Sequence, residues 1–217
     1  MPVELLALGT VEPIARVEIR AQVGGILRKV GFREGDAVKK GQVLFEIDRA
    51  PFLVALQRAE ANLGRDRVQR DNARVQASRN DELLKKGLVA QSAVDDARTT
   101  ASAFAAAVVA DEAAVAEARL QLGYATIRSP LDGKSGGLQA FVGNLVRASD
   151  VAPLVTINQL QPIRVAFAVP ARDLPSIRAA LASSRTIEVR AQVVKSTGPA
   201  ARGALFFVDN LVNSNTG

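Results

Sequence analysis

Apolar and polar residues alternate along the first fifty positions. Val17-Glu18-Ile19-Arg20-Ala21-Gln22-Val23 repeats with period two, and Gly24-Gly25 then turns the chain. A second short run covers 26–32, Gly35-Asp36 and Lys40-Gly41 mark further turns, and Val43-Leu44-Phe45-Glu46-Ile47 forms a third. Period-two runs between glycine turns predict half-buried strands of a small barrel or sandwich.

From Pro51 the period changes. Residues 52–86 hold no proline and one glycine, and 93–122 are alanine-rich, so the spacing predicts two long helices. Pro51 suits the first turn of the first helix, Gly87 its C-terminal cap, Ser92 the N-cap of the second helix and Gly123 its end. Asp95-Asp96 then falls in a first turn, where the helix dipole favours acids. A short connection makes the helices antiparallel, each on the order of 45–50 Å long. Positions 94, 97, 101, 104, 108, 111, 115, 118 and 122 form a heptad seam that is apolar except at Asp111. The matching seam is 56, 59, 63, 66, 70, 73, 77, 80 and 84, polar at Asp66, Arg70 and Asn80. Folding about Leu88 brings residues whose numbers sum to about 177 level. Asp111 then lies beside Asp66 and one turn from Arg70, and an Arg70–Asp111 contact is expected.

Strand texture returns at 125–129, followed by the turn Pro130-Leu131-Asp132-Gly133. Further strands are expected at 138–142, 144–146, 154–157, 163–169, 186–194 and 204–208, with a short helix near 172–182. Asp132 and Gly133-Lys134-Ser135 read as turn residues, the latter lacking the preceding glycines of a P-loop. The tail 210–217 offers no closing strand. The two strand-rich stretches resemble each other at an offset of 108: Gly25, Gly35 and Val38 correspond to Gly133, Gly143 and Val146. Half-repeats of this size cannot bury a core alone, so they should pack as one pseudo-symmetric sandwich with the hairpin inserted between them.

Composition narrows the chemistry. The chain of 217 residues has no cysteine, no histidine and one methionine, which leaves no thiol, imidazole or soft-metal chemistry. Catalysis would rest on carboxylates, lysines or hydroxyls, so a binding or structural role is favoured over an enzyme, and neither a cofactor nor a metal is expected. The net charge of +6 comes mostly from scattered basic residues beyond position 122, without the clusters and interleaved aromatics of a nucleic-acid binder. Lys39-Lys40 reads as a solvated turn. No run approaches twenty apolar residues, and Met1-Pro2-Val3-Glu4 has no leader character. Both ends read as cut from a longer chain.

The half-motifs around Val23-Gly24-Gly25-Ile26, Gly35-Asp36-Ala37-Val38 and Gly41-Gln42-Val43-Leu44 resemble a lipoyl/biotinyl-type domain. Together with Ala59-Glu60-Ala61-Asn62-Leu63, Thr126-Ile127-Arg128-Ser129-Pro130, Gly143-Asn144-Leu145-Val146, Pro162-Ile163-Arg164-Val165 and Phe207-Val208-Asp209-Asn210, they resemble periplasmic adaptor subunits of resistance–nodulation–division (RND) efflux pumps, the HlyD-like membrane fusion proteins. The resemblance implies an α+β fold: a split lipoyl-like β-sandwich interrupted by a long antiparallel α-helical hairpin and followed by a partial β-barrel domain. The implied divisions are an N-terminal segment 1–16, sandwich halves 17–50 and 123–160, the hairpin 51–122, and an incomplete barrel 161–217. The implied partners are an inner-membrane proton-driven transporter, a TolC-like outer-membrane channel, and further copies of the chain as a hexamer or trimer of dimers. The implied location is the periplasm at the inner membrane, and the cargo drugs or other small solutes.

Family members carry Arg, then Leu four positions on, then Ser seven further, at the hairpin tip. Arg79 and Leu83 match, and Ala90 replaces the Ser. The channel-docking residues so implied are Arg79, Leu83, Leu88 and Ala90. An adaptor of an ABC-type exporter or type I secretion system shares the split domain and stays open as a second reading. A biotinyl or lipoyl carrier is disfavoured, because Arg49 stands where carriers hold the modified lysine, and a guanidinium is not an acylation nucleophile of that kind. A heavy-metal efflux adaptor would want Met or His ligands, which the chain all but lacks.

Overall fold

A computed structural model describes residues 5–182, 186–194 and 198–209. It divides into two compact units, one of residues 16–158 and one of 1–15 with 159–217. The larger unit contains β2 (Arg16–Ile19), β3 (Gly25–Val30), β4 (Ala37–Val38), β5 (Val43–Ile47), α1 (Ala50–Lys85), α2 (Gln91–Tyr124), β6 (Thr126–Arg128), β7 (Gly133–Ser135), β8 (Leu145–Val146) and β9 (Val155–Asn158). Its strands form two four-stranded sheets, ordered β2-β9-β7-β4 and β6-β5-β3-β8. Each sheet takes strands from both halves, so neither half can close alone. Leu27, Leu44, Phe45 and Ile47 of the first half and Val155 and Ile157 of the second are almost wholly buried in one core, where Phe32 meets Phe45 edge to face.

The repeat suspected from three positions extends to the hydrogen bonds. Gly25 and Ile26 pair with Val146 and Leu145, while Gly133 and Lys134, 108 residues on, pair with Val38 and Ala37. The Leu27 amide donates to the Asn144 carbonyl at 2.9 Å, and the Ser135 amide to that of Asp36 at 2.9 Å. Gly35 and Gly143 both sit at positive φ, where a side chain would be strained. Beside them Asp36 accepts from the Arg33 amide and Asn144 from the Phe141 amide.

Two expectations fail in the second half. No strand forms at 138–142, because those amides find other acceptors: Leu138 donates to the Glu34 carboxylate, Gln139 to the Leu154 carbonyl, Phe141 to the Asn144 side chain. Gly133-Lys134-Ser135 is a strand rather than a turn. It passes so close to β9 that a Cβ on Gly133 would lie 2.6 Å from the Asn158 carbonyl oxygen. Asp132 also does more than turn the chain, accepting the Lys40 amide at 2.8 Å and tying the halves together.

The helices run 36 and 34 residues, about 50 Å each. Every seam position named above is buried or half-buried on both helices, and Leu63, Val108 and Val115 form the hairpin's own small core. The register also holds: Arg67 pairs with Glu112, Arg119 with Glu60 and Arg98 with Asp81, each at 2.8 Å. The partner assigned to Asp111 does not. Arg70 turns to its neighbour Asp71, and Arg65 instead enters the polar layer, bonding Asp66 at 2.6 Å. By length and composition α2 is apolar enough to cross a membrane. Its buried residues nevertheless fall on the one seam facing α1, and Asp111, Glu112, Glu117 and Arg119 interrupt it.

The second unit pairs β1 (Gly9–Pro13) with β10 (Ile163–Phe167) and β11 (Glu188–Ala191) with β12 (Ala201–Ala204). Between these pairs lie a 3-10 turn at Ala171–Asp173 and α3 (Leu174–Ala182). The last strand ends where the sequence pattern had it begin, and the tail 210–217 lies outside the described residues.

Candidate functional site

The hairpin leaves the sandwich between β5 and β6, which are antiparallel neighbours with Glu46 opposite Thr126. A two-residue turn would close such a pair. Asp48 instead starts a helix: its carboxylate accepts the Ala50 amide at 3.1 Å and binds Arg28 at 2.9 Å. The amide first and the guanidinium second hold its carboxyl below the usual carboxylate range. Arg49, in the carrier-lysine place, is the exposed N-cap of α1.

At the far end α1 stops in a Schellman motif. The Gly87 amide donates to the Leu84 carbonyl at 2.8 Å and the Leu88 amide to that of Leu83 at 3.0 Å, with Gly87 at φ +71°. This geometry fixes the tip. Leu83 is half-buried, and Leu88, held against its backbone, is 67% exposed. Arg79 is exposed one turn before Leu83. Behind the tip Val94 is fully buried, Asn80 donates its side-chain amide to the Ala93 carbonyl at 3.2 Å, and Arg98 holds Asp81. Leu83, Leu88 and Ala90 thus lie together on the closing turn, with Arg79 flanking them on α1.

The start of α2 departs from the sequence reading. Its N-cap is Ala90, in extended conformation with no side-chain cap, and Ser92 lies inside the first turn. Asp95 and Asp96 accordingly fall just beyond that turn. Sequence reasoning missed this because a serine two residues on carries the stronger capping signal. Gly123 does not end α2 either, since the helix runs on through Tyr124. Among the described residues, no group of three or more acidic side chains is placed to hold a metal ion.

The family model described as RND MFP, barrel-sandwich hybrid domain, matches residues 15–158, which span both sandwich halves and the hairpin. The chain belongs to the RND membrane fusion proteins. As a member it is a membrane fusion protein and not an enzyme. It is 36% identical over 217 residues to the multidrug resistance protein MdtA of Proteus mirabilis, covering 100% of this chain and 53% of that protein. The chain therefore spans about half the length of the curated relatives it matches. Among solved structures, a MacA–MexA chimera carrying the Pseudomonas aeruginosa MexA α-hairpin domain is 25% identical with a TM-score of 0.62, covering 93% of this chain and 64% of that one. The membrane fusion protein Spr0693 of Streptococcus pneumoniae is 18% identical with a TM-score of 0.74, covering 98% and 87%, and shares the fold.

Proposed function

We propose that this chain is the bridging part of a periplasmic adaptor, joining an RND-type proton-driven transporter of the inner membrane to a TolC-like outer-membrane channel. Its hairpin tip docks on the channel, copies of the adaptor surround the export path, and the assembly exports drugs or other small solutes from an inner-membrane station. One observation carries this reading. A paired, ion-bridged arm of about 50 Å replaces a turn that needs two residues, and it ends in an exposed leucine held by a rigid cap. Such an arm is useless for closing a sheet and suited to reaching a second protein. In the tip, Leu88 supplies the apolar anchor, Arg79 a flanking charge and donor, Leu83 the support beneath, and Ala90 a close-packed edge.

A cysteine at Leu88 tests the reading, because the chain has none of its own. Placed in the protein in export-active cells, Leu88→Cys should crosslink to an outer-membrane channel protein bearing a partner cysteine. Normal export with no capture at 88, 83 or 79 would refute tip docking.

A further inference from the structure

Arg79, Leu83 and Leu88 belong to α1 and its cap, whereas Ala90 already belongs to α2. The Schellman motif fixes only the first group, because both of its bonds run from 87 and 88 back to 84 and 83, within one helix end. On the other side α2 opens on Ala90 without a side-chain cap, and the Ala93 amide finds its acceptor locally, in the Ala90 carbonyl at 3.1 Å. Neither motif holds one helix end to the other. What ties them lies just behind the tip. Val94 and Ala77 are buried in the seam, Arg98 reaches Asp81 at 2.8 Å, and Asn80 donates to the Ala93 carbonyl at 3.2 Å. Apolar burial is non-directional, and the Arg98 side chain is 58% exposed, so neither of the first two sets a position closely.

The Asn80 bond differs in kind. It is directional and half-buried, and among the described residues no other side chain of either helix bonds to the backbone of the other. Position 80 belongs to the seam, where a leucine would bury more apolar surface than an asparagine can. A lone asparagine in a helical seam gives up stability and fixes an alignment. Ala97, level with it by the register, is small and leaves the amide room. We propose that Asn80 is a positioning residue for docking: it pins the first turn of α2 to α1, so that Leu83 and Leu88 on one side and Ala90 on the other meet a partner as one surface. It touches no partner itself and acts through those three residues. The proposal rests on the channel-docking reading and adds the residue that aligns the docking surface.

The test separates alignment from stability. Full-length protein carrying Leu88→Cys is placed in export-active cells with a channel protein bearing a partner cysteine, and capture is compared for the parent, Asn80→Leu and Asn80→Gln. Asn80→Leu fills the seam and removes the tie. The purified variant should melt no lower than the parent, while capture falls roughly fivefold, the worth of one hydrogen bond. Asn80→Gln keeps the amide donor on a stem one methylene longer and should recover most of the parental capture. Full capture by the leucine variant overturns the proposal, as does a glutamine variant no better than the leucine one. A leucine variant that loses capture and also melts lower reports a merely structural residue and overturns it too. Failure of the docking reading looks different, because the parent with Asn80 in place then captures nothing. That outcome removes the docking reading and this role with it, whereas the other three remove this role alone.

Discussion

Asp111 is the one polar residue in the α2 seam, between Val108 and Val115, which are 3% and 5% exposed. Its Oδ2 is buried and has no hydrogen-bond partner, whereas Asp66 across the seam takes the Arg65 guanidinium at 2.6 Å. The layer therefore holds one cation for two carboxylates. A buried acceptor left unpaired costs about 1–3 kcal/mol, and replacing it with an apolar side chain of similar size removes that cost while adding seam contact. Asp111→Leu is expected to stabilise the hairpin by about 1–2 kcal/mol. For a chain of this size that is a rise of roughly 2–8 °C in midpoint, read by circular dichroism at 222 nm during thermal and urea unfolding. Asp66→Leu should do the opposite, since it strips Arg65 of its partner. A fall of more than about 1 kcal/mol on Asp111→Leu would refute the reasoning, because Asp111 would then be holding the layer together, for instance by sharing a proton with Asp66.

Two further expectations follow from the same arm. The Arg65 hydrogen bond, first, lowers the Asp66 carboxyl below its ordinary 3.8, so the ionised form favours folding. That contribution is whole above about pH 4 and disappears as acidification carries the medium through the lowered value. Melting temperature should be flat from pH 7 to about 4 and drop below it, with Asp66→Asn lower at neutral pH and less steep in acid; an unchanged acid slope counts against the pairing. At the tip, Ala90→Ser gives α2 the capping hydroxyl it lacks and should add about 1 kcal/mol. Amide exchange at 92 and 93 should slow accordingly, and unaltered exchange would show that Ala90 is not the cap.

Most of this architecture was readable in the sequence because periodicity survives folding unchanged. Both heptad seams are buried or half-buried where the pattern put them, and Gly87 takes the positive φ that a helix ending in a short loop demands. The failures share a cause: local signals give positions along the chain but not partners across it. Arg70 and Arg65 are both long enough to reach the polar layer, and only packing decides between them. A three-residue strand such as 133–135 looks like a turn until β9 is known to run beside it. Glu34, Asp132 and Lys40 join the halves through bonds spanning about a hundred residues, which no local window contains. The docking role proposed for Arg79 and Leu83 rests on family resemblance, because two residues on a helix have no chemistry that announces a partner.

The internal repeat also explains why an arm could be inserted here without loss of the core. At the close of the first half, Gly25 lies against Ile47, where a Cβ would come within 2.6 Å of its Cγ2; at the close of the second, Gly133 lies against Ile157, with 2.8 Å. Gly31 donates to the Leu44 carbonyl as Gln139 does to that of Leu154, the offset having grown by two before the last strand. The two halves thus finish in equivalent surroundings, and at each finish the chain is free to leave. After Ile47 and Asp48 it leaves into α1, and after Ile157 and Asn158 it leaves into the second unit. In a carrier the first of these exits would be a tight turn presenting a lysine. Here the exit is committed to a helix whose first amide, that of Ala50, is held by the Asp48 carboxylate, so the geometry that would present a swinging arm is already used to anchor a fixed one.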